Sequence, residues 1–177
     1  MRTLAERVGV TATALYRHFD DRDALLASLL DQAFSSFGGY LMRALAGSTP
    51  LERLRLTGKA YLDFAVENPR DYELMFLTNC DDLGLFRMSE ELSQRAQGTF
   101  VFLVDRVNEC MEAGVFERAD PKTMAVYVWT QTHGLASLWL VGQLGKDLDL
   151  AGFQQLCEFT LDRLELALCS RERAKRR

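Results

Sequence analysis

The residues best equipped for chemistry in this chain lie close to its start. Thr11, Ala12, Thr13, Tyr16, Arg17, His18 and Arg22 fall within GVTATALYRHFDDRDALL, residues 9–26. Their guanidinium, imidazole, phenol and hydroxyl groups can donate to phosphate oxygens. A threonine can also offer a hydroxyl to base edges and a methyl to thymine. Catalytic patterns are missing by contrast. The two histidines, His18 and His133, lie in different regions, and no Ser/His/Asp order, glycine-rich phosphate loop or paired-carboxylate context stands out. The Asp pairs at 20–21 and 81–82 read as capping and loop acids. Cys80, Cys110, Cys157 and Cys169 are scattered, with no CxxC pair. That pattern predicts reduced thiols in a cytoplasmic protein, no bound metal, no cofactor and no enzymatic role.

Positioning those donors requires a helix-turn-helix. Leu4, Ala5 and Val8 line one side of a first helix, Gly9 permits a left-handed turn, and Val10 is expected to plug the angle between the helices. Thr11 caps the second helix, and Leu15 and Phe19 point back to the core. Ala12, Thr13 and Tyr16 are left on the outer face, with Arg17, His18 and Arg22 at its rim. In this geometry the N-terminal residues of the second helix approach base edges in the major groove. The flanking donors hold phosphates.

The remainder predicts an all-α fold. Strand alternation is missing, and each of the three prolines follows a capping residue where a helix should begin: Thr49-Pro50, Asn68-Pro69 and Asp120-Pro121. Glu52 completes a capping box with Thr49. The expected helices span approximately 3–8, 12–17, 21–46, 50–67, 69–78, 86–113, 121–144 and 149–171, with a loop around CDDLG, a bend expected at Gly38 and Gly39, and Gly114 and Gly145 as helix stops. The domain division is 1–27 for the tip and 28–177 for a larger helical body.

Phe34, Tyr61, Phe64, Met75, Phe76, Phe100, Met111, Trp129, Thr130 and His133 are candidates for a pocket taking a small apolar effector, and the same pattern equally suits a packed core. Leu140, Leu144, Phe153, Cys157, Thr160, Leu161, Leu164 and Leu168 lie along the last two helices at helical spacing, a surface suited to pairing with a second copy. The net charge of −4 hides an uneven distribution: the tail RERAKRR carries five cations and one acid. It reads as a solvated end on an acidic body. No apolar run is long enough to span a membrane.

The stretch LAERVGVTATALYRHFDDRDALL resembles the DNA-binding signature of TetR-family (tetracycline-repressor-like) regulators. ENPRDYELMF and WTQTHG, with Trp129, His133 and Gly134, resemble one branch's Trp/His-Gly type of C-terminal domain. The resemblance implies a homodimeric, cytoplasmic repressor of a palindromic double-stranded DNA operator, released by a small molecule. It implies phosphate contacts for Thr11, Tyr16, His18 and Arg22, base contacts for Ala12 and Thr13, and either for Arg17. Arg22 stands where the family usually has Lys, and Ala12 brings little base-reading chemistry. The resemblance also implies a further helix ahead of the motif, one wall of the DNA-binding domain, so that Leu4, Val8, Leu15, Phe19 and Leu25 are expected to be partly exposed here. The alternative is a dimeric helical module deficient in DNA binding, which captures an apolar ligand or pairs with full-length relatives.

Overall fold

A computed structural model describes residues 1–78, 88–145 and 147–169. Among these the α-helices are α1 (Arg2–Val8), α2 (Ala12–Tyr16), α3 (Arg22–Met42), α4 (Pro50–Glu67), α5 (Pro69–Tyr72), α6 (Glu90–Glu112), α7 (Pro121–Leu140) and α8 (Leu150–Leu168). A 3₁₀ turn (Arg43–Ala46) extends α3, and a π turn (Glu73–Leu77) extends α5. The described residues form no strand; Phe116 and Cys169 make one isolated antiparallel bridge.

Local chemistry sets most of the boundaries. Side-chain oxygens accept the orphan N–H groups at helix starts: Thr11 from Ala14, Asp21 from Ala24, Thr49 from Glu52, Ser89 from Leu92, Asp120 from Thr123 and Asp149 from Gly152. The reciprocal arm of the capping box reaches one residue further back than expected. The Glu52 carboxylate accepts from the backbone N–H of Ser48 at 2.8 Å and from its hydroxyl at 2.6 Å. Asn68 does not cap α5 with its side chain, because its amide donates to the Tyr40 hydroxyl at 3.1 Å. α3 runs through Gly38 and Gly39 as α-helix. α7 stops at Leu140, short of the expected 144, where Gly142 adopts φ +70°. The expected loop around CDDLG, the first residues of the helix expected from 86, and the basic tail lie outside the described residues, as does Cys80.

α4 is the central element, packed against α3, α6, α7 and α8. Its Phe64 and Ala65, with Tyr72 at the end of α5, are fully buried, and Phe153 of α8 closes the same core by stacking on Trp139 with ring centroids 4.3 Å apart. α8 comes so close to α4 that a Cβ at Gly58 would lie 2.6 Å from Leu161 Cδ2. A second cluster joins α6, α7 and the start of α4 through Val107, Cys110, Ala125 and Leu54.

The tip is built differently. α1 packs on α2, and of the side chains in both helices only Ala5 is buried. Leu4 and Val8 are exposed and Leu15, Phe19 and Leu25 half-buried, the pattern expected for them. Val10 does not plug the interhelical angle. Its backbone N–H bonds to the Ala5 carbonyl, while its side chain is 44% exposed.

Candidate functional site

Two sets of residues are brought together, one at the tip and one inside the body. At the tip, Gly9 takes φ +73° and stops α1, returning its N–H to the Ala5 and Glu6 carbonyls. This is the left-handed conformation that glycine adopts without strain. Thr11 is extended and its Oγ1 accepts from Ala14 N–H at 3.1 Å, which leaves the hydroxyl proton available. Thr13, Tyr16, Arg17, His18 and Arg22 are exposed, and Ala12 is half-buried. Residues 1–22 hold Arg2, Arg7, Arg17 and Arg22 against Glu6, Asp20 and Asp21, and Asp23 brings the tip to charge balance on an otherwise acidic chain.

Inside the body, a cavity of about 410 Å³ lies between α3, α4, α6 and α7. Phe34, Phe37 and Leu41 of α3, Tyr61 of α4, Phe100 of α6, Trp129 of α7 and Phe76 form its apolar wall. The three lining threonines donate to carbonyls of their own helices: Thr57 to Arg53 at 2.8 Å, Thr99 to Ala96 at 2.7 Å and Thr132 to Trp129 at 3.1 Å. Their hydroxyl protons are thereby occupied, and the other polar groups of lining residues, the Tyr61 hydroxyl and the Gln97 amide, bond to Tyr72 and to Ser93.

Behind one wall lies a polar network. Trp129 Nε1 donates to Tyr61 Oη at 3.2 Å, Tyr61 and Tyr72 share a hydrogen bond of 2.9 Å, and His133 Nδ1 sits 2.9 and 2.8 Å from their two hydroxyls. One consistent arrangement runs Trp129 to Tyr61 to Tyr72 to Nδ1, with Nε2–H directed at Ser137 Oγ, 3.4 Å away. Burial lowers the His133 pKa, which favours the neutral ring this arrangement needs, and raises the pKa of both tyrosines. Each member finds its partner inside the network. The motif residues Trp129 and His133 thus act as a hub joining α4, α5 and α7.

The structure corrects the expected pocket. Phe34, Tyr61, Phe76, Phe100 and Trp129 line the cavity. Phe64 is instead fully buried in the central core, Met75 packs between two clusters, and Met111 belongs to the second cluster. Thr130 is exposed, bonded to the Tyr127 carbonyl, and His133 sits behind Tyr61 and Tyr72. Thr57, Gly58, Leu103, Val126, Val128 and Thr132 also line it, small or aliphatic residues whose types carry no pocket signal in the sequence.

The expected pairing stripe is also corrected. Phe153, Cys157, Leu161 and Leu164 are buried within the chain itself, and burial pushes the Cys157 thiol up to about 12, so it stays protonated. Leu140 and Leu144 pack against the central core, Leu168 packs against the second cluster, and Thr160 Oγ1 bonds to the Leu156 carbonyl. The stripe holds α8 to α4 and α7. The large apolar residues left outside on these helices are Val126, Tyr127 and Leu138 of α7 and Leu150, Phe159 and Leu166 of α8, with Val141 just beyond α7. No group of three or more potential metal ligands occurs among the described residues, and no helix there is long and apolar enough to cross a membrane.

Comparison with known proteins places this architecture. Residues 54–164 match the tetracyclin repressor-like C-terminal domain, and residues 1–29 match the bacterial regulatory proteins of the tetR family. A protein of unknown function from Rhodococcus sp. RHA1 superposes with a TM-score of 0.77 at 25% identity, over 96% of this chain and 84% of that one. The ketosteroid transcriptional regulator KstR2 of Mycobacterium tuberculosis gives 0.72 at 18% identity, over 96% and 84%. AibR in complex with isovaleryl coenzyme A and operator DNA gives 0.71 at 18% identity, over 90% and 83%. No curated protein matches significantly.

Proposed function

The chain belongs to the TetR family of bacterial regulators, and we propose that it is a repressor, a homodimer on a palindromic operator released when a small apolar effector fills the body. The observation that carries this reading is the course of α3. It begins at the Asp21 cap directly after the tip and supplies Phe34, Phe37 and Leu41 to the cavity wall. An occupant that prefers one position of α3 therefore biases the spacing of the two tips, in proportion to its differential affinity for the two states. That AibR has been seen with both a ligand and operator DNA, and that KstR2 is a ketosteroid regulator, supports a similar division of labour here.

At the tip, Thr11, Tyr16, His18 and Arg22 hold phosphates and Thr13 faces bases, with Ala12 beside it and Arg17 able to reach either. The partner copy docks on the outward apolar residues, Tyr127 and Leu138 of α7 and Phe159 and Leu166 of α8. Gly134 lies between the first two on α7, and a Cβ there would meet nothing within 4 Å, so a second helix can approach closely. Phe159→Glu is expected to yield monomers in sedimentation analysis.

The test of DNA binding is fluorescence anisotropy on the duplex flanking the gene. Tyr16→Phe and Arg22→Ala should weaken binding to every sequence, and Arg22→Ala should reduce the salt slope by about one. Unchanged affinity in both variants would remove the contact assignment.

The exposure of Leu4, Val8 and Val10 favours a second reading, ligand capture without DNA binding. Ligand-induced melting shifts with no duplex binding even in dilute salt would select it.

A further inference from the structure

A second, open chamber adjoins the cavity. It measures about 260 Å³ and lies between α3 and α6. It shares Phe34, Leu41 and Thr99 with the cavity, so these three side chains stand between the two spaces. Gly38 of α3 and Gly98 of α6 line it, and a Cβ built on either would meet nothing within 4 Å. The absence of side chains at these two positions leaves the chamber open. Among the described residues no charged side chain lines the inner cavity, and Arg95 is the one charged residue lining the outer chamber. Arg95 Nε donates to Asp31 Oδ1 of α3 at 2.7 Å, with both side chains about half exposed.

We infer that the effector is an amphiphile with a carboxylate head: its hydrocarbon part fills the inner cavity, it arrives through the gap at Gly38 and Gly98, and its head takes Arg95 from Asp31. The inference rests on the cavity being the effector site and names the chemistry that fits it. The polar groups of the inner wall are already engaged: Thr57, Thr99 and Thr132 donate to backbone carbonyls, the Tyr61 hydroxyl bonds to Tyr72, and the Gln97 amide donates to Ser93. A guanidinium in the outer chamber offers five donors in a fork matched to a carboxylate. The exchange replaces one carboxylate by another at Arg95, and the half-exposed Asp31 returns to water. The inner cavity of about 410 Å³ is of the size that holds a small apolar ligand. The exchange has a regulatory consequence. The Asp31–Arg95 pair ties α3 to α6, and α3 leads to the tip, so the arriving head removes a tie on the helix that carries the DNA-binding element.

The experiment is calorimetric titration of the full chain with octanoate, decanoate, dodecanoate and methyl dodecanoate, each below its micelle concentration. Affinity should rise about fourfold per added methylene as the cavity fills. Arg95→Gln should lower dodecanoate affinity at least tenfold while leaving the methyl ester unchanged. Arg95→Lys should restore part of the loss, and Asp31→Asn should raise dodecanoate affinity without affecting the ester. Gly98→Leu, whose Cβ would meet nothing within 4 Å, should weaken acid and ester together. If Arg95→Gln and Asp31→Asn treat acid and ester as the unmodified chain does, the carboxylate head is overturned while the effector site stands. If Gly98→Leu binds both normally, the route of access is overturned. If neither acid nor ester binds at all, the effector reading of the cavity falls as well, whatever the protein does on DNA.

Discussion

The tip and the body of this protein are both helical, but they are held in different ways. In the body, α4 is surrounded by four other helices and buries Phe64, Ala65 and Tyr61 among aromatic neighbours. At the tip, Ala5 is the buried side chain of α1 and α2, while Leu4, Val8 and Val10 face solvent. The tip is shaped by backbone chemistry, a left-handed glycine and a threonine cap. The body is held by the removal of large apolar surfaces from water. Caps and turns choose a conformation at about 1 kcal/mol each, whereas several buried aromatic residues supply stabilisation on the scale of a whole domain. Among the described residues the tip thus buries far less apolar surface than the body, which encloses the cavity.

The largest test of that contrast compares truncations. Phe64→Ala should cost about 3–5 kcal/mol in urea denaturation, whereas Leu4→Ala and Val8→Ala should fall within about 0.5 kcal/mol. Comparable losses at the two sites would erase the distinction.

Hydrogen exchange sharpens it further. Amides of α4 should be protected by orders of magnitude more than those of α1 and α2, because the tip opens locally without global unfolding. Equal protection would mean that the tip unfolds with the body.

Cap removal gives a smaller, local contrast. Thr11→Ala and Asp120→Ala should each weaken their own helix by about 1 kcal/mol. The Asp120 change should move the global melting temperature, and the Thr11 change should appear only in the exchange of tip amides.

The smallest effect concerns pH. His133 is held below its ordinary 6.5 by burial, so the unfolded chain binds a proton more readily than the folded one. Its contribution to stability is present above about pH 6.5 and is lost as pH falls toward the lowered folded value. His133→Gln should flatten that part of the melting-temperature profile in the body.

Much of the fold was legible before the structure. Pro50 and Pro121, each behind a capping residue, marked true helix starts, and α4 ends at Glu67 as expected, because its boundaries are fixed by local hydrogen bonds. Asn68 failed as a cap for a tertiary reason: Tyr40, far away in sequence, offers its amide a hydroxyl partner. The pocket was only half legible. Aromatic residues at helical spacing suit a core and a cavity equally, so Phe34, Phe100 and Trp129 line the space while Phe64 and Met111 fill the core. The pairing stripe misled for a related reason. α8 has a broad stripe through Phe153, Cys157, Leu161 and Leu164 and a sparser one through Phe159 and Leu166, and the stronger hydrophobic signal belongs to the chain's own core.

The sequence by itself determined the helices, their caps and the turn at Gly9, because those depend on interactions between residues a few positions apart. Only the tertiary structure decided which apolar face α8 turns inward, which aromatic rings border an empty space, and that Arg95 and Asp31 meet beside it. Those outcomes depend on how closely helices remote in sequence approach one another, which periodicity along one chain does not encode.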